Sequence, residues 1–314
     1  MQYRRLGKTD WNVSAISMGC WAIGGQWGAI DEDQAVDTVR AARDVGINLF
    51  DTADAYGLGQ SEIYLGKALQ YDRHQVYIAT KVGNWGRRLG DPLNYKSIYS
   101  ILNCCDASLY RLGTDYIDLY QCHIQKPEQP ELFVEAFERL IEQGKIRRYA
   151  ISTDDLGALK ALNAGGECAS CQIRYSVLDR AAEKSLLPYC GDKDIGVLLR
   201  GPIGQGLLAD KFTSETRFDD QVREKWNPGG SARAEFESRL AIVEKLRDVL
   251  APGQSMTHLA LQFTLRHPAV TCAIPGMKSP EQARDNAAAA DGTLTDEQLA
   301  RINEITAGGA GAAR

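Results

Sequence analysis

This sequence contains no long hydrophobic run. Its uninterrupted apolar stretches span only a few residues, far below the ~20 that a membrane-spanning helix requires. The opening residues MQYRRLGKTDW hold no apolar segment of the kind that marks a secretory signal. A cytoplasmic protein with no membrane partner is expected. Positive charge is not in excess either: 36 Lys and Arg stand against 41 Asp and Glu, a net charge of −5. Nucleic-acid binders present a basic face, so no nucleic-acid partner is expected. Histidine is scarce. His74, His123, His258 and His267 are far apart, and no metal site is expected. Eight cysteines in 314 residues are too sparse for a disulfide framework. Cys168 and Cys171 make a lone C-x-x-C without a second ligand pair, and Cys104-Cys105 lies in a helical pattern. All four read as packed thiols.

What is present is alternation. Short apolar runs with β-branched or aromatic content recur at Ala15–Met18, Ile47–Phe50, Val76–Thr80, Tyr116–Tyr120, Ile146–Ser152, Ala169–Ile173, Gly196–Leu199 and Thr271–Ile274. Each has the character of a strand buried on both faces. Amphipathic stretches such as Asp33–Asp44, Ser97–Leu112 and Pro130–Gln143 lie between them. Gly46, Gly113 and Gly144 stand where helix C-caps belong. Strands alternating with helices describe a parallel sheet, either closed into a barrel or open and doubly wound. The open dinucleotide fold carries G-x-G-x-x-G after its first strand. Here that place reads Gly19-Cys20-Trp21-Ala22-Ile23-Gly24-Gly25, which lacks the spacing.

The α/β class with a (β/α)8 TIM barrel is therefore expected, as one domain over residues 1–314. Such barrels typically need ~250 residues. Tyr3–Leu6 and Trp11–Val13, joined by Gly7-Lys8-Thr9-Asp10, form a predicted N-terminal β-hairpin placed to plug the bottom of the barrel. Lys211–Ser231 is polar and carries Asn227-Pro228-Gly229-Gly230. It is expected as an extended surface loop before a helix over Ala232–Leu250, and loops of this length are commonly functional. Ala307–Arg314 is rich in Gly and Ala and is expected to be unordered.

Barrel enzymes place catalytic groups at the C-terminal ends of strands. Asp51 follows the second predicted barrel strand, and Tyr56 lies in the same loop. Lys81 follows the third strand and His123 the fourth. Each alone has a structural explanation: a cap, a packing ring, a solvated lysine, a core histidine. Together on one rim they are what the protonation of a carbonyl oxygen needs. A free phenol titrates near ~10, too high for easy proton donation at neutral pH. A neighbouring ammonium lowers that value. Lys81 would supply it, Asp51 would hold Lys81 charged, and His123 would polarise the acceptor.

Four blocks occur in order: Asp51-Thr52-Ala53-Asp54-Ala55-Tyr56-Gly57, then Ser61-Glu62 with Leu65-Gly66, then Ala79-Thr80-Lys81, then Asp115-Tyr116-Ile117-Asp118-Leu119-Tyr120-Gln121-Cys122-His123. They resemble the signature of the aldo-keto reductase superfamily, in the branch of bacterial and plant-type reductases related to potassium-channel β subunits. The resemblance runs from the hairpin to about Asn286. It implies a (β/α)8 barrel, NADPH bound extended with NADH as an alternative, and hydride transfer to an aldehyde or ketone. It implies Tyr56 as the acid, supported by Lys81, Asp51 and His123. Ser152 and Gln172 match the pair that holds the nicotinamide carboxamide. Gly204, Gly206, Leu207 and Lys211 match the loop around the pyrophosphate. Gly19, Trp21, Arg200, Gly201, Pro202 and Arg217 fall at further positions expected to contact the cofactor. Ile274, Gly276, Lys278, Gln282 and Asn286 match the adenosine-phosphate end, with Lys278 placed for a 2′-phosphate as a point charge.

Several positions depart from the family pattern. Thr153-Asp154 stands where an Asn usually follows the nicotinamide-site serine. Arg200 takes the place of a stacking Tyr or Trp, which adds charge beside a ring that becomes cationic when oxidised. His123 is followed by Ile124 rather than Trp, and Gln282 stands where some relatives have Arg. Trp21, Trp27, Trp85 and Trp226 are candidates for the pocket wall. The same residues are compatible with an NAD(P)⁺-dependent dehydrogenase of a sugar or other alcohol, and with a cofactor-binding regulatory subunit. The expected partner is a small carbonyl or sugar, and nothing in the sequence excludes a homo-oligomer.

Overall fold

The computed structural model describes residues 1–307. The chain opens with a hairpin of β1 (Tyr3–Arg5) and β2 (Asn12–Ser14), paired antiparallel. An eight-stranded parallel sheet follows in chain order: β3 (Met18–Gly19), β4 (Leu49–Asp51), β5 (Tyr77–Val82), β6 (Ile117–Cys122), β7 (Ile146–Ser152), β8 (Ser170–Arg174), β9 (Gly196–Arg200) and β10 (Cys272–Ile274). The sheet closes on itself. Ile16 bridges Ala273, Gly19 bridges Gly276, and the Gly19 N–H donates to Pro275 O at 3.0 Å. The expected (β/α)8 barrel with an N-terminal hairpin is the observed fold. The run Ala15–Met18 contributes only its end to β3; Ala15 and Ser17 instead exchange backbone bonds with Ala273, which is how the seam is made.

The helices are α1 (Glu32–Asp44), α2 (Gln60–Leu69), α3 (Ile98–Leu112), α4 (Pro130–Glu142), α5 (Leu156–Leu162), α6 (Leu186–Asp192), α7 (Arg233–Leu246), α8 (Met256–Arg266), α9 (Pro280–Ala288) and α10 (Asp296–Ala307). Local chemistry sets their ends. Asp31 accepts the Gln34 N–H at 2.8 Å and starts α1, while Ser97 does the same for Tyr99 at 3.3 Å and starts α3. Gly113, at φ 62°, ends α3. Ala307 closes α10 rather than opening a tail, and the remainder of the Gly/Ala-rich segment lies outside the described residues. Among the described residues no helix is long and apolar enough to cross a membrane.

Strand alternation separates two cores. Ile78 and Val82 of β5 face outward into the apolar layer beneath the helices. Ala79 faces inward with Leu49, Leu119, Ala150 and Leu198. Leu6 and Val13 of the hairpin join that interior cluster, and Trp11 stacks on Tyr77 at 5.0 Å. The hairpin therefore seals the N-terminal end, as expected. Its approach depends on Gly7 at φ 49°, where a Cβ would meet Gly196 N at 2.3 Å. Closing that end leaves the polar groups of the barrel interior facing its C-terminal mouth.

The segment between β9 and α7 is less extended than its polarity predicts. Phe212 packs on Phe218 at 5.0 Å, Phe218 on Trp226 at 5.6 Å, and Trp226 on Phe236 at 5.3 Å. A small aromatic core of its own thus holds this loop against the barrel.

Candidate active site

Asp51 ends β4, and the chain then turns sharply through a 3-10 segment at Tyr56–Gly59. Gly57 has φ 58°, and a Cβ there would meet Gly24 O at 2.4 Å. That close approach joins the loops after β3 and β4 and sets the Tyr56 ring over the barrel mouth. Lys81 lies one turn of alternation above Ala79 on the inward face of β5, with no exposed side-chain surface. Its Nζ donates to Asp51 Oδ2 at 2.7 Å, to Thr52 O at 2.7 Å and to Tyr56 Oη at 3.3 Å. All its donor capacity is used. Trp21 stacks on the Tyr56 ring at 5.9 Å, and His123, beyond the end of β6, meets it edge-on at 6.0 Å. The four residues singled out on the predicted rim are thus brought together.

The electrostatics differ from the expectation in one respect. Burial raises the Tyr56 phenol above its ordinary range; Lys81 pulls it back down, and Asp51 pushes it up. The lowering by Lys81 is real but does not dominate. For Lys81 itself burial opposes the charge, yet Asp51 and the Tyr56 oxygen outweigh it and hold the ammonium above its usual value. Lys81 stays cationic, and a charged donor faces the phenol oxygen.

Asp51 is gripped from its other oxygen by two amides. Gln172 Nε2 donates to Oδ1 at 2.7 Å, and Gln121 Nε2 does so at 3.1 Å. Ser152 donates in turn to Gln172 Oε1 at 3.2 Å. Gln121 was not among the residues picked out from sequence. The available signal was its place two residues before His123 in β6, hence on the same inward face. The block Ser61-Glu62 supports the site from behind. Ser61 Oγ donates to Cys20 O at 2.8 Å and shares a 2.8 Å bond with Thr52. Buried Glu62 accepts from Thr80 and Arg111, each at 2.6 Å.

A cavity of about 800 Å³ runs from this cluster across the mouth toward α9. Gly19, Trp21, Ser152, Gln172 and Arg200 line its deep part, Gly201, Pro202, Gly204 and Gly206 its flank, and Ile274, Gly276, Lys278, Gln282 and Asn286 its far end. Lys211 lies there too, its amine pushed down by burial and then by the charges of Arg223 and Lys278. Lys278 Nζ donates to Trp27 O at 2.8 Å, and the Arg223 guanidinium lies 5.1 Å over the Trp27 ring. Arg223 is a second residue missed from sequence; nothing in the run Gln221-Val222-Arg223 marks it locally. The donor set fits an extended dinucleotide phosphate. Hydroxyl and amide groups sit at the deep end and a cation cluster at the far end. Gly19 keeps the deep end open: a Cβ there would crowd Pro275 O at 3.1 Å.

Three expected contacts lie off the cavity, and a fourth lines it chiefly as a packing residue. Arg217 turns away and donates to Glu215 O at 2.7 Å, outside the cavity. The Leu207 side chain points into the core, 1 % exposed, because its neighbours Gln205 and Gly206 take left-handed conformations that turn the loop over. Trp85 is off the cavity, under the Arg111 guanidinium at 5.2 Å. Trp226 borders the cavity but is 2 % exposed and stacked on Phe236, so it is mainly a packing residue. Trp21 and Trp27, packed edge-to-face at 5.0 Å, form the aromatic wall instead. The departures at Thr153-Asp154 and Arg200 explain each other. Asp154 pairs with Arg200, and Thr153 Oγ1 donates to Gln125 O at 2.6 Å.

A closed parallel barrel whose buried Lys–Asp pair faces a tyrosine, beside a cleft shaped for a dinucleotide, defines a nicotinamide-dependent oxidoreductase of the barrel type. The chain belongs to the aldo/keto reductase family, whose model matches residues 15–307. It is 36 % identical to the aldo-keto reductase YhdN of Bacillus subtilis over 313 residues, covering 97 % of this chain and 93 % of that protein. It is 35 % identical to an NADH-specific methylglyoxal reductase of Escherichia coli over 328 residues, covering 96 % of this chain and 97 % of that one. Among solved structures, an aldo-keto reductase from Klebsiella pneumoniae in complex with NADPH superposes with a TM-score of 0.77. It shares 30 % identity and covers 97 % of this chain and 94 % of its own.

Proposed function

We propose that this protein reduces an aldehyde or ketone to the alcohol, using NADPH with NADH as an alternative, and that Tyr56 delivers the proton. Bound, the reduced nicotinamide supplies a hydride to the carbonyl carbon. The rest falls to the chain. Ser152 and Gln172 orient the carboxamide. The Tyr56 O–H donates its proton to the carbonyl oxygen as negative charge develops there, and His123 donates a hydrogen bond to the same oxygen. Lys81 then faces the phenolate, whose charge its ammonium stabilises, and Asp51 keeps that ammonium in place. Solvent entering the open mouth restores the phenol. The observation that carries this reading is the Lys81 ammonium, 2.7 Å from Asp51 and 3.3 Å from the Tyr56 oxygen.

Support for the cofactor comes from Lys211, Arg223 and Lys278, which line one cavity, and from relatives of which one is solved in complex with NADPH and another is an NADH-specific reductase. A cytoplasmic location and a freely diffusing small-molecule substrate belong to the same reading. The test is NADPH oxidation with a panel of aldehydes and ketones. Tyr56→Phe should lower kcat by about 10²- to 10⁴-fold, the usual worth of a positioned acid, while NADPH still binds. Turnover near that of the unaltered chain would overturn the assignment of Tyr56.

A further inference from the structure

The cavity holds two separate zones of positive charge. One is the Lys211, Arg223 and Lys278 cluster at the far end, where Asp220 pairs with Arg223 and leaves the two lysines for the phosphates of the cofactor. The other stands at the barrel mouth, where Arg200 and the exposed Arg174 and Arg87 line the same cavity as Tyr56 and His123. Arg174 and Arg200 are register partners at the ends of β8 and β9. Arg200 is close enough for its charge to act on the Tyr56 oxygen.

These three arginines are not equally committed. Arg200 is paired with Asp154. The other oxygen of Asp154 accepts the backbone N–H of Arg174 at 2.8 Å, so that carboxylate is occupied on both sides. The Arg174 guanidinium has no acidic partner within ion-pair distance among the described residues. Arg87 makes one long contact, 3.4 Å to Asn84 Oδ1. The mouth therefore carries two guanidinium groups that no carboxylate neutralises among the described residues, on the same cavity in which the nicotinamide would turn cationic on giving up hydride. Like charges brought together there oppose the reaction, unless an anion lies between them. Arginine recognises planar oxyanions through paired N–H donors. The Trp21–Trp27 wall across the mouth covers the remaining carbon skeleton.

We propose that the substrate is a carbonyl compound bearing an oxyanion, a carboxylate or a phosphate ester, bound by Arg174. The inference rests on the reductase reading above and names its substrate class. In this arrangement Arg200, neutralised by Asp154, stays beside the nicotinamide site, and Arg174 takes the charged tail of the substrate.

Two matched pairs test it: succinic semialdehyde against its methyl ester for a carboxylate, and glyceraldehyde phosphate against glyceraldehyde for a phosphate. At least one charged member should show kcat/KM about 10- to 100-fold above its neutral partner, the range expected for a charge-assisted hydrogen bond. The better pair identifies the oxyanion. KM for the charged member should rise with salt while that of the neutral one stays flat. Arg174→Gln should collapse the charged-to-neutral ratio toward one. Equal kcat/KM within both pairs, or a ratio that survives Arg174→Gln, overturns the proposal. Malonate binding to the NADP⁺-loaded protein gives a reading independent of turnover. It should raise the melting temperature of the unaltered chain and not of Arg174→Gln; equal shifts, or none, overturn the anion site. If no carbonyl of any charge is reduced while malonate still binds through Arg174, the reductase reading fails and the anion site stands.

Discussion

Gln172 and Asp51 are joined by a 2.7 Å hydrogen bond although 121 positions separate them in the chain. The residue matched to the nicotinamide carboxamide is therefore tied directly to the carboxylate that holds Lys81. With Gln121 on the same oxygen and Lys81 on the other, Asp51 is positioned from three strands. Its negative charge is distributed over donors that cannot move without disturbing the barrel interior.

The Lys81–Asp51 pair should behave as a coupled unit in stability. Both side chains are buried, at 0 % and 6 % exposure. Removing one partner leaves an uncompensated charge, which typically costs about 3–5 kcal/mol. Lys81→Met should lose stability on that scale. Lys81→Met combined with Asp51→Asn should lose less than the sum of the two single changes. Urea unfolding of the four proteins measures the cycle, and strictly additive losses would contradict the pairing.

Gln121 should act as a positioning residue. Gln121→Leu leaves Asp51 Oδ1 with Gln172 alone, frees the carboxylate to rotate, and weakens the hold on Lys81. A loss of about tenfold in kcat is expected, the worth of one charge-assisted bond. KM should change little, and the alkaline limb of the pH–rate profile should move. Gln121→Glu, which sets a like charge against Asp51, should be worse than Leu. A merely structural residue would instead lower the amount of folded enzyme and leave the pH profile of the remainder unaltered.

Lys278 should discriminate between cofactors. It is tied to Trp27 O and lines the same cavity as Lys211. Lys278→Ala should weaken NADPH by about tenfold more than NADH, since only NADPH carries the extra phosphate that a charge-assisted bond would hold. Fluorescence titration with both cofactors checks this. Equal losses would place the 2′-phosphate elsewhere.

Asp54 predicts a pH dependence of stability. Its carboxyl is buried and pushed up to about 8, first by burial and then by Glu62, against the opposing pull of the Ala55 backbone N–H, Arg111 and Lys81. Tyr95, Cys104 and Tyr120 feel its charge from the surrounding elements. The folded chain thus binds a proton there that the unfolded chain releases at ordinary carboxylate pH. Stability is lost as pH rises from about 4 to about 8, because folding then requires either taking up a proton or burying a charge. Asp54→Asn, neutral at every pH, should raise the melting temperature by about 2–4 °C at pH 8–9 and by less at pH 5–6. An equal difference at both pH values would refute the assignment.

The legible parts of this protein were those written in short range. Barrel strands follow from apolar runs bounded by turn residues, and helix ends from Gly46, Gly113 and Gly144, because propensity and capping act over a few positions. The catalytic candidates were visible because barrel geometry sends strand-end residues to one rim whatever the rest of the chain does. The misplaced residues share a reason. Leu207, Arg217 and Trp85 lie in connecting segments, where a turn redirects a side chain without any periodic trace.

By itself, then, the order of residues determined the alternation of strand and helix, the hairpin plug, and the set of Asp51, Tyr56, Lys81 and His123. Only the tertiary structure decided which atoms meet. Closing the barrel at Gly19 and Gly276 brings Gln121 and Gln172 onto one oxygen of Asp51 and Asp154 against Arg200, and among the described residues it leaves Arg174 without an acid. Those pairings depend on strand register and on the direction of each side chain within a closed sheet, long-range quantities that no local run of residues encodes.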